Sequence, residues 1–500
     1  MKSRLSRSIL VLHRYTGVLI GVLMTVWCLS GFVMMYQGFP AVTEQERLAA
    51  AQPVDLSGPL ALEALPFADD EELRGFRIDM LGDRPILRMG GRGGGGAYDL
   101  RSGAEVEELP ADQVAAIARR YANGNGIEAA SAIRPILMDD LDQWTIQTFR
   151  GNEPLYKVPM GDPAGTELYV SAASGSVVQD TNRAERVLSW LGAIPHWLYP
   201  TVLRQNGPLW SQVVIWTSVI GTFLTITGLY VGIGRIRLGS KGKAGISPYR
   251  GLWYWHHMLG LFFGVITMTW VFSGLMTMGD WGLSPSRQGE LREQVAGNAN
   301  WGDTRNLLQQ LSTADLPADT RQLRPTMLGG HLHLLADDGG GRTVRIDAHG
   351  DPMPVTDGEI RSALFGMPLA TLARVDGEDA YHYSFKDREV RPAYRAILAD
   401  EQQTRIYFDA STGEVGRVID DAARQSRWLR NGMHSLDFIR GRPLWDALTL
   451  ILLAGVTAVC ATGAWMSFRR VGRDIKMLRR RAARKAGRNG GNPEGKPSRA

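Results

Sequence analysis

The sequence predicts an α-helical membrane protein, a four-helix transmembrane bundle carrying two periplasmic α+β domains arranged as a parallel internal repeat. Three observations predict it: four long apolar runs, a lopsided placement of Lys and Arg, and a chain that repeats itself at a spacing of about 240 residues. Five hundred residues exceed what one hydrophobic core organises, so several units are expected. The apolar runs are 8–36, interrupted only by His13 and Arg14, then 208–234, 251–279 and 444–468, broken only by Asp446 near its start. Each exceeds the roughly 20 residues, at about 1.5 Å rise, that cross a hydrocarbon layer of about 30 Å. The first run follows Lys2, Arg4 and Arg7 like the start of a signal peptide, but it is too long and ends on no small-x-small site, so it reads as an uncleaved anchor.

Orientation follows from the basic residues. Lys2, Arg4, Arg7 and Arg14 precede or enter the first run, while Arg235, Arg237, Lys241, Lys243 and Arg250 separate the second from the third, with no acid among either set. The tail beyond Phe468 is strongly basic, opposed only by Asp474 and Glu494, and reads as a disordered, lipid-facing end. These three segments are expected on the cytoplasmic side, with both termini. The two long connecting segments are then net acidic and face outward, so the formal charge of +5 reflects topology and points to no nucleic-acid partner. The division is 1–39, basic segment and first span; 40–206, first periplasmic domain; 207–234, second span; 235–250, cytoplasmic loop; 251–279, third span; 280–442, second periplasmic domain; 443–468, fourth span; 469–500, basic tail.

The repeat is exact in spacing over short stretches. His13, Gly17, Trp27, Ser30 and Gly31 match His256, Gly260, Trp270, Ser273 and Gly274 at an offset of 243. Tyr156, Tyr169, Trp190 and His196 match Tyr394, Tyr407, Trp428 and His434 at 238, and Pro208, Trp210, Thr227 and Gly228 match Pro443, Trp445, Thr462 and Gly463 at 235. Each half is one helix out, one domain and one helix back. Within the domains, residues 156–158, 167–171, 343–347 and 405–409 alternate with strand period, Ser174-Gly175 and Thr412-Gly413 mark hairpin turns, and 111–121 has helical spacing ended by 123–126. The glycine runs 90–96 and 339–341 precede no helix start and read as hairpin loops.

The two cysteines, Cys28 and Cys460, lie inside spans; there is no C-x-x-C-H for covalent haem and no cysteine cluster for iron and sulfur. Both read as small buried hydrophobes. Of nine histidines, five sit at span ends, where ligating side chains are costly and functional. His13 and His256, followed by His257, mark the cytoplasmic ends of spans one and three; His196 and His434 lie just before spans two and four on the opposite side. Each face therefore offers two imidazoles from different helices, the arrangement for axial ligation of b-type haem, two haems in all. Gly17 and Gly260, at i+4, remove bulk beside them. The offset of 243 selects His256 over His257, which stays the alternative ligand. Zinc would want four close ligands where each face offers two or three.

These residues carry a resemblance. H-R-Y-T-G from His13, H-H-M-L-G from His256, the T-G pairs at Thr227 and Thr462, and the paired segments beginning E-P-L-Y-K-V-P and R-P-A-Y-R-A-I resemble the PepSY-associated transmembrane family, and within it the inner-membrane ferric siderophore reductases. The resemblance implies periplasmic PepSY-like domains and b haems held by membrane histidines that reduce a periplasmic ferric siderophore or other iron chelate and release Fe(II) for uptake. Carried over, the ligands are His13 with His256 or His257, and His196 with His434. The segment after His196 is three residues longer than that after His434, which predicts a pair out of level. No nicotinamide or flavin motif is present, so electrons must come from quinol or a separate reductase.

Two other readings compete: a non-catalytic PepSY-type binding or regulatory protein with interfacial histidines, and passage of a substrate between the halves, against which the scarcity of charge in the spans argues. Candidate chelate contacts are Trp144, Arg150, Tyr381, His382, Tyr383 and Arg388, and His331 and His333 could share a strand face for a metal, although packing and a solvated face explain them as well.

Overall fold

A computed structural model describes residues 4–73, 75–90, 96–237, 246–279, 281, 284–384 and 390–489. Four helices are long and apolar enough to cross a membrane: Arg4–Met34, Gly207–Ile233, Leu252–Met276 and a fourth that begins at Arg442. Asn206 starts the second by accepting the Leu209 N–H at 3.0 Å, with Pro208 in the first turn where its missing N–H costs nothing. The spans form a ring in which the first and third each pack against the second and fourth. Small residues allow the approach: a Cβ on Gly21 would lie 3.5 Å from the Ala464 backbone, and one on Gly455 would come within 2.3 Å of the Phe263 ring. The fourth helix runs on to Asn489, which corrects the expectation of a disordered tail as far as that residue; its Arg, Lys, Ala and Leu all favour helix.

Outside the bundle the chain forms three antiparallel sheets. Strands β1 (Phe76–Leu81), β2 (Arg84–Met89) and β3 (Ala97–Asp99) come from the first connecting segment, and β4 (Ile136–Leu137), β5 (Leu155–Pro159), β6 (Glu167–Ser171) and β7 (Val177–Thr181) follow as a second sheet. The other segment supplies β8 (Thr320–Leu328), β9 (His331–Asp338) and β10 (Thr343–Ile346), then β11 (Leu369–Val375), β12 (Ala393–Leu398), β13 (Arg405–Asp409) and β14 (Val415–Ile419). The hairpin turns fall at Ser174-Gly175, Thr412-Gly413 and 339–341 as the sequence predicts; Gly175 and Gly413 both adopt positive φ, which only glycine takes without strain. Residues 91–95 of the other glycine run lie outside the described residues.

The two connecting segments meet in one sheet. β1 pairs with β8, Ile78 opposite Leu323, to give the order β10-β9-β8-β1-β2-β3. Beneath this seam Leu56, Ile78, Leu87 and Leu100 pack with Trp301, Leu308, Leu323 and Ile346 in a shared core. Each four-stranded sheet has its own core, the first closed by helix Ala111–Gly124, which ends within the expected stretch 123–126.

Candidate functional site

At one end of the bundle, His13 of the first span and His256 of the third face each other with ring centroids 6.5 Å apart. Neither is free to turn. The Nδ1–H of His13 donates to the Leu224 carbonyl at 3.1 Å, and that of His256 to the Val459 carbonyl at 3.1 Å. Thr227 and Thr462 place hydroxyls beside the same nitrogens, at 3.4 and 3.1 Å. A carbonyl can only accept, so Nδ1 must carry the proton and Nε2 keeps its lone pair for a metal. The glycine after each threonine makes room for the ring: a Cβ on Gly228 would come within 2.8 Å of His13 Cε1, and one on Gly463 within 2.9 Å of His256 Cε1. The T-G pairs thus carry one orienting hydroxyl and one clearance each. A cavity with about 1190 Å³ of unfilled space, counted to its open mouth, surrounds the pair and is lined mainly by apolar groups with Gly17, Gly260 and Gly264 among them. Gly260 opens onto empty space, whereas Gly17 abuts Ser467 and Leu224.

At the other end His196 and His434 face each other at 6.2 Å. Here the spans supply the restraints. The His196 Nδ1–H donates to the Trp27 carbonyl at 3.1 Å, with the Ser30 hydroxyl at 3.0 Å; Ser273 stands 3.1 Å from His434 Nδ1 and itself donates to the Trp270 carbonyl. The backbone just beyond each histidine is held from below by an indole, Trp210 Nε1 on the Trp197 carbonyl at 2.9 Å and Trp445 Nε1 on the Ser435 carbonyl at 2.7 Å. Leu198 and Leu436 then take left-handed φ of 52°, turning the chain into the following span. The three extra residues after His196 are taken up beside the short helix Thr201–Arg204, and the rings still meet.

Both separations can be tested against a metal between the rings. Two metal–imidazole bonds of about 2.0–2.1 Å and two ring radii of about 1.1 Å put the centroids about 6.3 Å apart. The observed 6.5 and 6.2 Å lie on either side of that value. Among the described residues no three His, Cys, Asp or Glu converge, so neither pair has the further ligands that a zinc site of four would need. Two facing imidazoles, with open space beside the His13 and His256 pair, are a donor set that would suit a b-type haem, which would supply one-electron chemistry there.

The structure separates the adjacent histidines. His257 is buried, with Nδ1 2.8 Å from the Ser247 hydroxyl and Nε2 2.8 Å from the Gly232 carbonyl, so both nitrogens are spoken for and the ring ties the third span to the second. His331 is exposed at the start of β9 with His333 two residues on, and no third ligand joins them among the described residues. Trp144 packs in a core with Tyr169 and Ile194, Arg150 is exposed, and Arg388 lies outside the described residues. Cys28 and Cys460 touch across the first and fourth spans, Sγ to Sγ 3.9 Å.

The pattern of the PepSY-associated TM region matches residues 10–470, a stretch that takes in all four facing histidines and every residue that restrains them. The chain belongs to that family. No curated protein and no solved structure matches it.

In this PepSY-associated protein each four-stranded sheet carries the same polar knot. Asp142 accepts the Trp144 and Thr145 N–H groups and the Tyr169 hydroxyl, and faces Lys157. Asp379 accepts the Tyr381 and His382 N–H groups and the Tyr407 hydroxyl, and faces Arg395 at 2.8 Å. Burial alone would raise the Asp379 carboxyl, but these donors hold it at about 2; Tyr407 is pushed up to about 12, by burial first and then by Asp379. The repeated positions Ser30, Thr227, Trp210 and their partners stand out in the sequence, but only the structure shows that all of them serve the histidines.

Proposed function

We propose that this protein is a b-haem oxidoreductase of the bacterial inner membrane that passes electrons across the bilayer to a periplasmic ferric siderophore or similar iron chelate, releasing Fe(II) for uptake. The observation that carries the reading is the pair of facing, Nδ1-restrained histidine couples, His13 with His256 and His196 with His434, at 6.5 and 6.2 Å. On this reading the chain is a parallel repeat with both termini cytoplasmic and the three sheets periplasmic, supported by the basic cytoplasmic segments and the offsets of 243, 238 and 235.

Bound between each couple, haem iron supplies a one-electron Fe(III)/Fe(II) carrier. The protein's own residues do the rest. Leu224 and Val459 fix the tautomers at the cytoplasmic end, Trp27 and Ser30 with Trp270 and Ser273 at the other, so no reorientation accompanies electron transfer. An apolar lining surrounds His13 and His256. From His13 to Trp27, which holds His196, is 14 residues, about 21 Å of helix, so the couples serve opposite membrane faces. Electrons enter from quinol or a separate reductase.

Protein purified in detergent from haem-replete cells is expected to show a Soret band, dithionite-sensitive α and β bands, and two haems per chain by pyridine haemochrome. A colourless preparation would overturn the reading and leave the non-catalytic alternative.

A further inference from the structure

The two halves share a scaffold, so each serves as a control for the other. The aspartate–tyrosine knot is common to both and accounts for itself structurally. What differs is the charge around it. In the first half Lys157 is answered by Glu167 at 2.9 Å, and Glu167 also meets Arg186. At the position of Glu167 the second half has Arg405, at that of Gln179 it has Arg417, and at that of Ser189 it has Arg427, all at the offset of 238. An acid beside a cation has been replaced by a second cation. Arg395 is answered by Asp379 at 2.8 Å and Arg440 by Glu378 at 3.7 Å, whereas among the described residues Arg405 and Arg417 make no ion pair.

These arginines converge on two tyrosines. Arg405 stacks over Tyr381 at 5.2 Å; Arg417, Arg427 and Arg440 cover Tyr383 at 5.2, 5.2 and 4.4 Å. Beneath them Asp437, almost fully buried, takes the Tyr383 hydroxyl and lies 3.6 Å from Arg427. Buried Nε atoms of Arg395, Arg405 and Arg427 have no hydrogen-bond partner. Unpaired buried donors are costly and call for an acceptor. Arg427 opens a π-helical turn, Arg427–Gly432, that leads into His434.

We infer that Arg405, Arg417, Arg427 and Arg440, arrayed around Tyr381 and Tyr383, form a binding site for an anionic, carboxylate-bearing ferric chelate beside His434, present in the second half only. Guanidinium forks pair with carboxylates bidentately and the rings take the planar parts of the ligand. The site rests on the reductase reading for its purpose but not for its existence, since an anion would bind whether or not haem is present.

The test uses the full chain in detergent with ferric citrate as the anionic probe and a neutral ferric trihydroxamate as control. Binding is followed by tryptophan fluorescence, and haem content is measured on the same samples. The exposed pair Arg417→Gln with Arg440→Gln is expected to weaken ferric citrate binding at least tenfold, with Arg417→Lys and Arg440→Lys recovering only part of it because lysine keeps the charge but not the fork, the neutral chelate unaffected, and wild-type binding falling as salt rises. Unchanged ferric citrate binding in the glutamine pair, absence of binding to wild type, or loss of haem instead of chelate would overturn the site. Ferric citrate binding that is arginine-dependent in a protein lacking haem would uphold the site and remove the reductase reading.

Discussion

Gly228 lies so close to His13 that a methyl group there would stand 2.8 Å from the ring, and Gly463 holds the same position under His256 at 2.9 Å. Gly228→Ala or Gly463→Ala is therefore expected to displace one imidazole of the same couple. Each variant should lose one of two haems, and the double variant no more than that, read as the haem-to-protein ratio. A double variant that loses both would show that the two glycines serve different sites.

His256 and His257 are adjacent but differ in what their nitrogens do. His256→Ala should abolish the spectrum of one haem. His257→Ala should keep both haems and lower thermal stability by about 1–3 kcal/mol, the cost of breaking the Ser247 and Gly232 bonds. Equal haem loss in the two variants would contradict the geometry.

Ser30 and Ser273 touch the Nδ1 atoms of His196 and His434. Ser30→Ala or Ser273→Ala should leave the low-spin spectrum in place, weaken haem retention by about 10- to 100-fold and shift one of the two midpoint potentials in a redox titration. A variant in which neither quantity moves would show that the carbonyls alone set the ligand.

Asp180, hydrogen-bonded by the Tyr121 hydroxyl at 3.1 Å, is pushed up to about 6, by burial first and then by the charge of Glu46. A carboxyl raised in the folded state supports folding while protonated, and that support is lost as pH rises from about 4 through about 6. Asp180→Asn should unfold at the same temperature as wild type near pH 4 and gain about 1–2 kcal/mol at pH 7, after allowing for partial solvent screening. Thermal unfolding at the two pH values checks it; a gain of equal size at both would assign the effect to packing instead.

Much of this was legible in residue order because single residues recur at offsets of 243, 238 and 235. Strands β6 and β13 fall on 167–171 and 405–409, where apolar and polar residues alternate, and the four spans fall on runs with no charge to spare. The facing histidines could be named from their offsets, which match His13 with His256 and His196 with His434. Three features left no such trace. The pairing of β1 with β8 joins residues about 245 apart, and a strand edge gives no local sign of its partner. The roles of Thr227, Ser30 and Trp210 were hidden because a repeated polar residue in a span shows that it matters without showing what it bonds. The helical tail was hidden because clustered arginine and lysine satisfy both a disordered end and a helix.

The seam at Ile78 and Leu323 has one more consequence. Carriers that move solutes by rocking one half against the other need an interface that opens and recloses, and here the β1–β8 pairing and a common core join the two connecting segments. Such a frame weighs against solute passage between the halves, whereas the electron of the proposed reading needs no doorway.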